Sequence, residues 1–361
     1  MIKYIGSKRA LARWITGVVA QIHALNPIRS VADLFSGSAR IAHAFKAQGY
    51  FVHANDHNTY AYVLAKALVE ADRRDYPPER IQPILNQLMQ RTPRYGWFTR
   101  TYCEEARYFR PENGARIEAI REAIEQDHSD DPLLQAILLT SLMLAADKVD
   151  STTGLQMAYL KEWAPRAFNP LKLEYPPLLA GRGKAYQADA LELAGALDAD
   201  LFYLDPPYNQ HSYLANYHVW ETLVLWDCPE TYGVARKRVD VKVRKSAFNS
   251  RTQAFEAMAH LVSQIRAQHL LVSFNNEGYL AREAIEAILR EWGYVVCFER
   301  AYRRYVGALI GIHNPQGEKV GQVSHTHNRE MLFLATKHQR VYETLATQTP
   351  TPSNDPQLPL W

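Results

Sequence analysis

Asp205-Pro206-Pro207-Tyr208 closes an apolar run, Leu201-Phe-Tyr-Leu204. Two successive prolines fix φ twice and remove two backbone donors, leaving the carbonyls of Asp205 and Pro206 exposed as acceptors. A carboxylate oxygen and a carbonyl oxygen held together can accept both hydrogens of one planar amino group. That arrangement draws the nitrogen toward a tetrahedral geometry and localises its lone pair. Tyr208 adds a face on which a planar base can stack. A plain Pro-Pro turn explains the two prolines but neither the acid before them nor the aromatic after them. Asp205, Pro206, Pro207 and Tyr208 are therefore read as a catalytic unit acting on an amine.

Three more segments with strand character end in acidic or glycine-bearing turns: Asp33 with Ser36-Gly37-Ser38, Asn55-Asp56, and Asp189. A glycine turn between strand and helix lets a ligand approach the backbone, and the helix start offers free N–H groups. Asp56, at the end of the next strand, suits a ribose diol. The turn lacks the G-x-G-x-x-G spacing of dinucleotide sites, and Asp33 would repel a pyrophosphate but bind an ammonium group. A nucleoside carrying an amino acid fits these residues better than NAD does, and S-adenosylmethionine is such a molecule. Each residue alone reads as an ordinary strand-end turn or cap; four in this order do not.

The elements that must position these ends are legible from periodicity. A helix over Leu11–Ala24 follows the Gly6-Ser7-Lys8 turn. A strand over 30–35, a helix over 41–48 and a strand over 51–56 form a βαβ unit, the signature of a parallel sheet. Helical spacing then dominates from His57 to about Lys184, with helices over 62–70, 78–90, 114–126 and 133–149. The last is apolar nearly all round, hence buried, and too short to span a bilayer. Strands return at 184–188, 200–205 and 269–274, with late, antiparallel candidates at 294–305 and 331–336. The fold class is α/β: a mostly parallel sheet with a late antiparallel strand, plus a helical insertion. The division places one unit over 1–56 and 185–340, the insertion over 57–184, and a disordered tail over 341–361, where Pro350, Pro352, Pro356 and Pro359 accumulate.

In motif order over roughly residues 1–340, the chain resembles the Dam-like, alpha-class adenine-specific DNA methyltransferases, a Rossmann-like family that uses S-adenosylmethionine. The resemblance rests on Lys3-Tyr-Ile-Gly-Ser-Lys8, Asp33-Leu-Phe-Ser-Gly-Ser38, Asn55-Asp56, Asp205-Pro-Pro-Tyr208 and Ser273-Phe-Asn-Asn-Glu-Gly278. Ala146-Asp-Lys148, Thr152-Thr-Gly154 and Tyr159-Leu-Lys161 resemble the insertion of a restriction–modification branch. It implies a cofactor site of Tyr4, Gly6, Ser7, Lys8, Asp33, Phe35, Ser36, Gly37, Asp56, Asp189 and Asp205. Lys8 and the Gly6-Ser7 backbone would hold the methionine carboxylate, Asp33 the amino group, Asp56 the ribose and Asp189 the adenine edge. Double-stranded DNA is the implied partner, with target recognition in the insertion and a cognate restriction endonuclease alongside. Where the family usually has a second loop glycine, this chain has Ala39, tolerable if its φ stays negative.

Charge supports a polyanion partner. The whole chain carries 41 Lys+Arg against 38 Asp+Glu, a net +3, which alone names no partner. Between Arg236 and Arg251, however, seven basic residues meet one acidic. Arg236, Lys237, Arg238, Lys242, Arg244 and Lys245, with Arg303 and Arg304, are the DNA-contact candidates. Three cysteines without metal-ligand spacing, 13 histidines without a coherent set and no signal-peptide core point to a cytoplasmic protein without a metal or a membrane anchor. The expected reaction is direct methyl transfer to N6 of a flipped adenine, without a cysteine nucleophile. N4-cytosine and RNA adenine methylation, or a DNA-binding protein on a decayed methyltransferase scaffold, are the alternatives.

Overall fold

The computed structural model describes residues 1–303, 312–313, 319–321 and 327–347. Among these, seven strands form one sheet: β1 Ser30–Asp33, β2 Phe51–Asn55, β3 Gly183–Tyr186, β4 Leu201–Leu204, β5 His269–Asn275, β6 Tyr294–Arg303 and β7 His327–Thr336. Their order is β3-β2-β1-β4-β5-β7-β6. All pairings up to β5 are parallel, while β7 runs antiparallel to both β5 and β6. The late antiparallel strand is therefore β7; β6 shares the direction of β5.

Every residue of β4 and β5 is buried, as expected of central strands covered on both faces. Alternation sorts their side chains into two cores. Val31, Leu201, Tyr203, Leu271, Leu332 and Leu334 pack on one side, against α1 (Ala12–Leu25) and α2 (Arg40–Ala47). Ala32, Phe202, Leu204, Val272, Phe274 and Phe333 pack on the other, against the helices Ala254–Gln264 and Arg282–Trp292.

Between β2 and β3 lie α3 (Thr59–Ala65), α4 (Pro78–Met89), α5 (Pro111–His128) and α6 (Pro132–Val149), followed by an extended, proline-bearing stretch. These helices share the first core with the sheet and do not close a core of their own. Helix α6 is, among the described residues, the one helix long and apolar enough to cross a membrane, yet most of it is buried in that core. Asp131 caps it, accepting from the backbone N–H of Leu133 and Leu134.

The tail begins later than 341. Residues 341–347 belong to the helix Gln339–Thr347, because Val341 and Leu345, one turn apart, reach the first core and are 1% exposed. Positions 348–361, with the four prolines, lie outside the described residues.

In an open parallel sheet, a crevice opens beyond the carboxyl ends where neighbouring strands lead off in opposite directions. Here that point falls between β1 and β4, whose ends carry Asp33 and Asp205.

Candidate active site

The crevice is a cavity walled by Tyr4, Gly6, Ser7, Lys8, Asp33, Phe35, Ser36, Gly37, Asp56, Asp189 and Asp205. All eleven residues expected at the cofactor thus face one space. Pro207 shares the wall, and Tyr208 stands next to it, its phenol 3.9 Å from where a Cβ on Gly6 would lie. Asn55 locks the strand ends together: its amide donates to the carbonyls of Leu34 (3.1 Å) and Ala188 (3.2 Å) and accepts from the Ala188 N–H.

Two of the carboxylates are committed in part. Asp56 accepts from the Gly37 N–H at 2.9 Å and from both nitrogens of Asn58. Asp189 caps the short turn after β3, accepting from Leu191 N–H at 2.9 Å, and is otherwise exposed. Asp33 is 1% exposed and accepts a 3.3 Å bond from Phe35 N–H. Burial and the nearby Asp205 push its carboxyl well above the usual carboxylate range. The hydroxyls of Ser7 and Ser36, both in the wall, are buried without a partner in the chain. Buried acids and unpaired hydroxyls of this kind fit a cationic, polar ligand; a sulfonium amino acid joined to a ribose matches the donor set.

Lys8 lies in the wall and is paired there: its ammonium is 3.2 Å from Asp205 Oδ1 and 3.3 Å from Glu330 Oε2, with the side chain 5% exposed. Burial alone would lower its pKa, but Asp205 and Glu330 outweigh burial and hold it well above the ordinary lysine value. Burial pushes Asp205 up to about 6; Lys8 opposes that rise and Glu330 adds to it. Glu330 carried no signal in the sequence, since it reaches the site only through the pairing of Glu330 with Asn275 across β7 and β5.

The loop turn is tighter than expected. Gly37 has φ of +51°, and a Cβ there would meet the Tyr4 ring at 3.0 Å, so this glycine is required by conformation and space alike. Ala39 also adopts a left-handed φ, +57°, correcting the expectation of a negative one. A left-handed alanine costs roughly 1–2 kcal/mol, and here it is fully buried at the start of α2.

Tyr4 is sandwiched between Tyr213 (5.2 Å, 8°) and Tyr217 (4.7 Å, 9°), and its hydroxyl shares a 3.2 Å hydrogen bond with Tyr60. Tyr213 and Tyr217 follow the tetrapeptide closely, and Tyr213 belongs to the wall. Sequence reading missed both, although their four-residue spacing after Tyr208 is a usable helical signal.

The basic segment is only partly a surface. Arg238 is buried, and its guanidinium is bonded to Asp227 (two bonds of 2.7 Å) and to Asp240. It cannot reach a phosphate without abandoning those acids, which corrects its assignment. Arg236 pairs with Glu105 at 3.1 Å. Arg244 pairs at 2.9 Å with Glu221 of α7 (His218–Leu225) and lines the cavity. The same fully buried Glu221 accepts from the N–H groups of Thr59 and Tyr60 that begin α3. Lys242 and Lys245 are exposed, and Lys237 is half-buried. Arg303 ends β6; its side chain and all of Arg304 lie outside the described residues.

A family model described as D12 class N6 adenine-specific DNA methyltransferase matches residues 4–288. The chain is 31% identical to Type II methyltransferase M.NlaIII of Neisseria lactamica over 84% of this chain and 92% of that one. It is 32% identical to Modification methylase StsI of Streptococcus sanguinis, and 31% identical to Type II methyltransferase M.FokI of Planomicrobium okeanokoites. Each of those alignments covers 84% of this chain, which spans about half the length of those two relatives (49% and 50%).

Proposed function

This chain belongs to the D12 class of N6 adenine-specific DNA methyltransferases, and we propose that it transfers a methyl group from S-adenosylmethionine to N6 of an adenine flipped out of duplex DNA at a specific sequence. The observation that carries the reading is the Asp205 carboxylate. It is anchored through Oδ1 to Lys8, at the carboxyl end of β4, on the wall shared with Asp33, Gly37 and Asp56.

S-adenosylmethionine, when bound, supplies an electrophilic methyl group on a positively charged sulfur. Asp33 would hold its ammonium group, Asp56 its ribose hydroxyls, and Asp189 its adenine edge. With Oδ1 engaged by Lys8, the second oxygen of Asp205 accepts one hydrogen of the target amine and the Pro206 carbonyl accepts the other. The nitrogen lone pair is thereby directed at the methyl carbon; alignment and lone-pair localisation are the protein's contribution. Tyr208 supplies the face for the flipped base, since a duplex hides the amine from such a crevice.

The helices between β2 and β3 and the stretch after them are the proposed target reader. Lys242 and Lys245 are the proposed phosphate contacts, with Lys237 at their edge. The type II modification methylases among its relatives support a cognate restriction endonuclease as partner.

The test is transfer of labelled methyl groups to duplex DNA of varied sequence, single-stranded DNA and RNA, with products digested to nucleosides and identified by mass. N6-methyldeoxyadenosine from duplex DNA is expected. Methylcytosine, or label in RNA alone, would overturn the substrate assignment.

A further inference from the structure

A buried ammonium needs one counter-ion, and Lys8 has two. Asp205 at 3.2 Å and Glu330 at 3.3 Å flank it, and all three side chains are largely withdrawn from solvent, with exposures of 5% for Lys8, 18% for Asp205 and 9% for Glu330. For stability alone the second acid is a poor choice. It must be desolvated, and it repels Asp205, raising the pKa of that carboxyl. The residues that follow Glu330 along β7, Met331-Leu-Phe-Leu-Ala335, are all apolar and buried, while Arg329 before it pairs with Glu299 at 3.8 Å and Arg300 of β6 lies opposite it in register.

The excess charge has a use in the reaction proposed above, on which this inference rests. We propose that Glu330 is a positioning residue for methyl transfer. Its carboxylate fixes the Lys8 ammonium so that Lys8 takes only Oδ1 of Asp205, and it makes the trio net negative beside the sulfonium and the target nitrogen. Without Glu330, Lys8 and Asp205 cancel, and the positive charge passing from sulfur to nitrogen meets a neutral pair. With Glu330, the trio itself keeps one net negative charge beside a poorly solvated wall, with Arg300 of β6 opposite Glu330 as the next cation. The neighbouring contacts are arranged to hold that geometry. Glu330 pairs in register with Asn275 on β5, and the Lys8 ammonium lies 5.9 Å from the Tyr208 ring centre.

Glu330→Gln keeps the shape and removes the charge, and Glu330→Asp keeps the charge on a shorter arm. Two readouts test the proposal on the full-length chain. The first is binding by calorimetry of S-adenosylmethionine and of S-adenosylhomocysteine, which lacks the sulfonium charge. Glu330→Gln should weaken the charged ligand at least threefold and leave the neutral one unchanged; Glu330→Asp should restore much of the difference. The second is single-turnover transfer to long, unmethylated genomic DNA. Glu330→Gln should be at least tenfold slower.

Equal weakening of both ligands would show a merely structural role and overturn the proposal. So would wild-type transfer by Glu330→Gln. Failure of the wild-type chain to methylate any DNA would instead overturn the proposed function, while the ligand ratio would still decide the role of Glu330.

Discussion

Replacing Asp205 by Asn should abolish most methyl transfer and yet make the protein harder to unfold. The carboxyl ionises at about 6 in the fold against 3.8 for an ordinary aspartate, because burial outweighs the help from Lys8. A folded-state pKa raised in this way means the fold binds its proton more tightly than the open chain does. Stability from this group is full below pH 4 and is lost as pH rises through about 6. At pH 8 the loss is roughly 3 kcal/mol, from about 1.4 kcal/mol for each tenfold difference in proton affinity. The neutral amide of Asp205→Asn would carry no such cost, and Lys8 would keep Glu330 as its counter-ion. For a chain of this length the gain corresponds to a melting temperature higher by roughly 4 °C. Loss of a positioned acceptor should slow transfer by about 10²–10³-fold. The assay is a pair of melting curves at pH 8 and pH 4.5 alongside single-turnover transfer. The stability advantage should be present at pH 8 and small at pH 4.5. An advantage equal at both pH values, or a variant that melts lower at pH 8, would refute the claim that this site holds a costly buried charge.

Three further outcomes follow from the same geometry. Because Asp205 must be ionised to accept the amine hydrogens, kcat/KM should rise with pH through about 6 and then level, as a pH profile on DNA would record. Ala39→Gly should raise stability by roughly 0.5–1 kcal/mol by relieving the left-handed alanine, seen as a higher denaturant midpoint with an unchanged slope. Arg238→Ala should cost about 2 kcal/mol of stability, since its acid partners Asp227 and Asp240 are partly exposed, whereas Lys242→Ala should leave stability alone and reduce the salt dependence of DNA affinity by about one charge.

What the sequence reveals and what it hides divide along the range of the interactions. The strands over 201–204 and 269–275 are buried on both faces, that over 51–55 alternates buried Val52 and Ala54 with Phe51 and His53, and the helices of the insertion carry helical spacing, so local pattern suffices for each. The cofactor wall is legible for the same reason: its acids sit at the ends of those strands, and the topology brings strand ends together. Glu330 is not legible, because it meets Lys8 from 322 residues away and its neighbours in sequence show only a strand. Arg238 misleads because a run of basic residues states a charge, not which members point inward; Asp227 and Asp240 decide that in the fold. Ala39 misleads because its conformation is imposed by the turn around Gly37 and the start of α2, against its own preference. The helix over 339–347 follows a β-strand closely and is carried by two buried residues, too few to outweigh the proline-rich composition beyond it.

The segment Lys3–Lys8 ties the proposed target reader to the proposed site of methyl transfer. Lys3 is bonded to the insertion three times, through its backbone N–H to the Asp147 carboxylate (3.0 Å) and through its ammonium to the Asp147 carbonyl (2.5 Å) and the Asp150 carboxylate (2.7 Å). Tyr4 is stacked between two rings of the stretch after the tetrapeptide, Tyr213 and Tyr217, and Tyr217 also accepts the Ile5 N–H. Lys8 completes the series at Asp205 and Glu330. Six residues thus touch the insertion, the loop beyond the tetrapeptide, Asp205 and the antiparallel strand. Each stacked pair contributes about 0.5–1.5 kcal/mol beyond its buried area, and the bonds to buried charges contribute more. Displacing the loop that follows Tyr208 would therefore unstack Tyr4, and unstacking Tyr4 would disturb both the wall around Gly37 and the segment that leads to Lys8. A contact made on the insertion, the proposed target reader, is in this way mechanically continuous with Asp205, the proposed acceptor of the target amine.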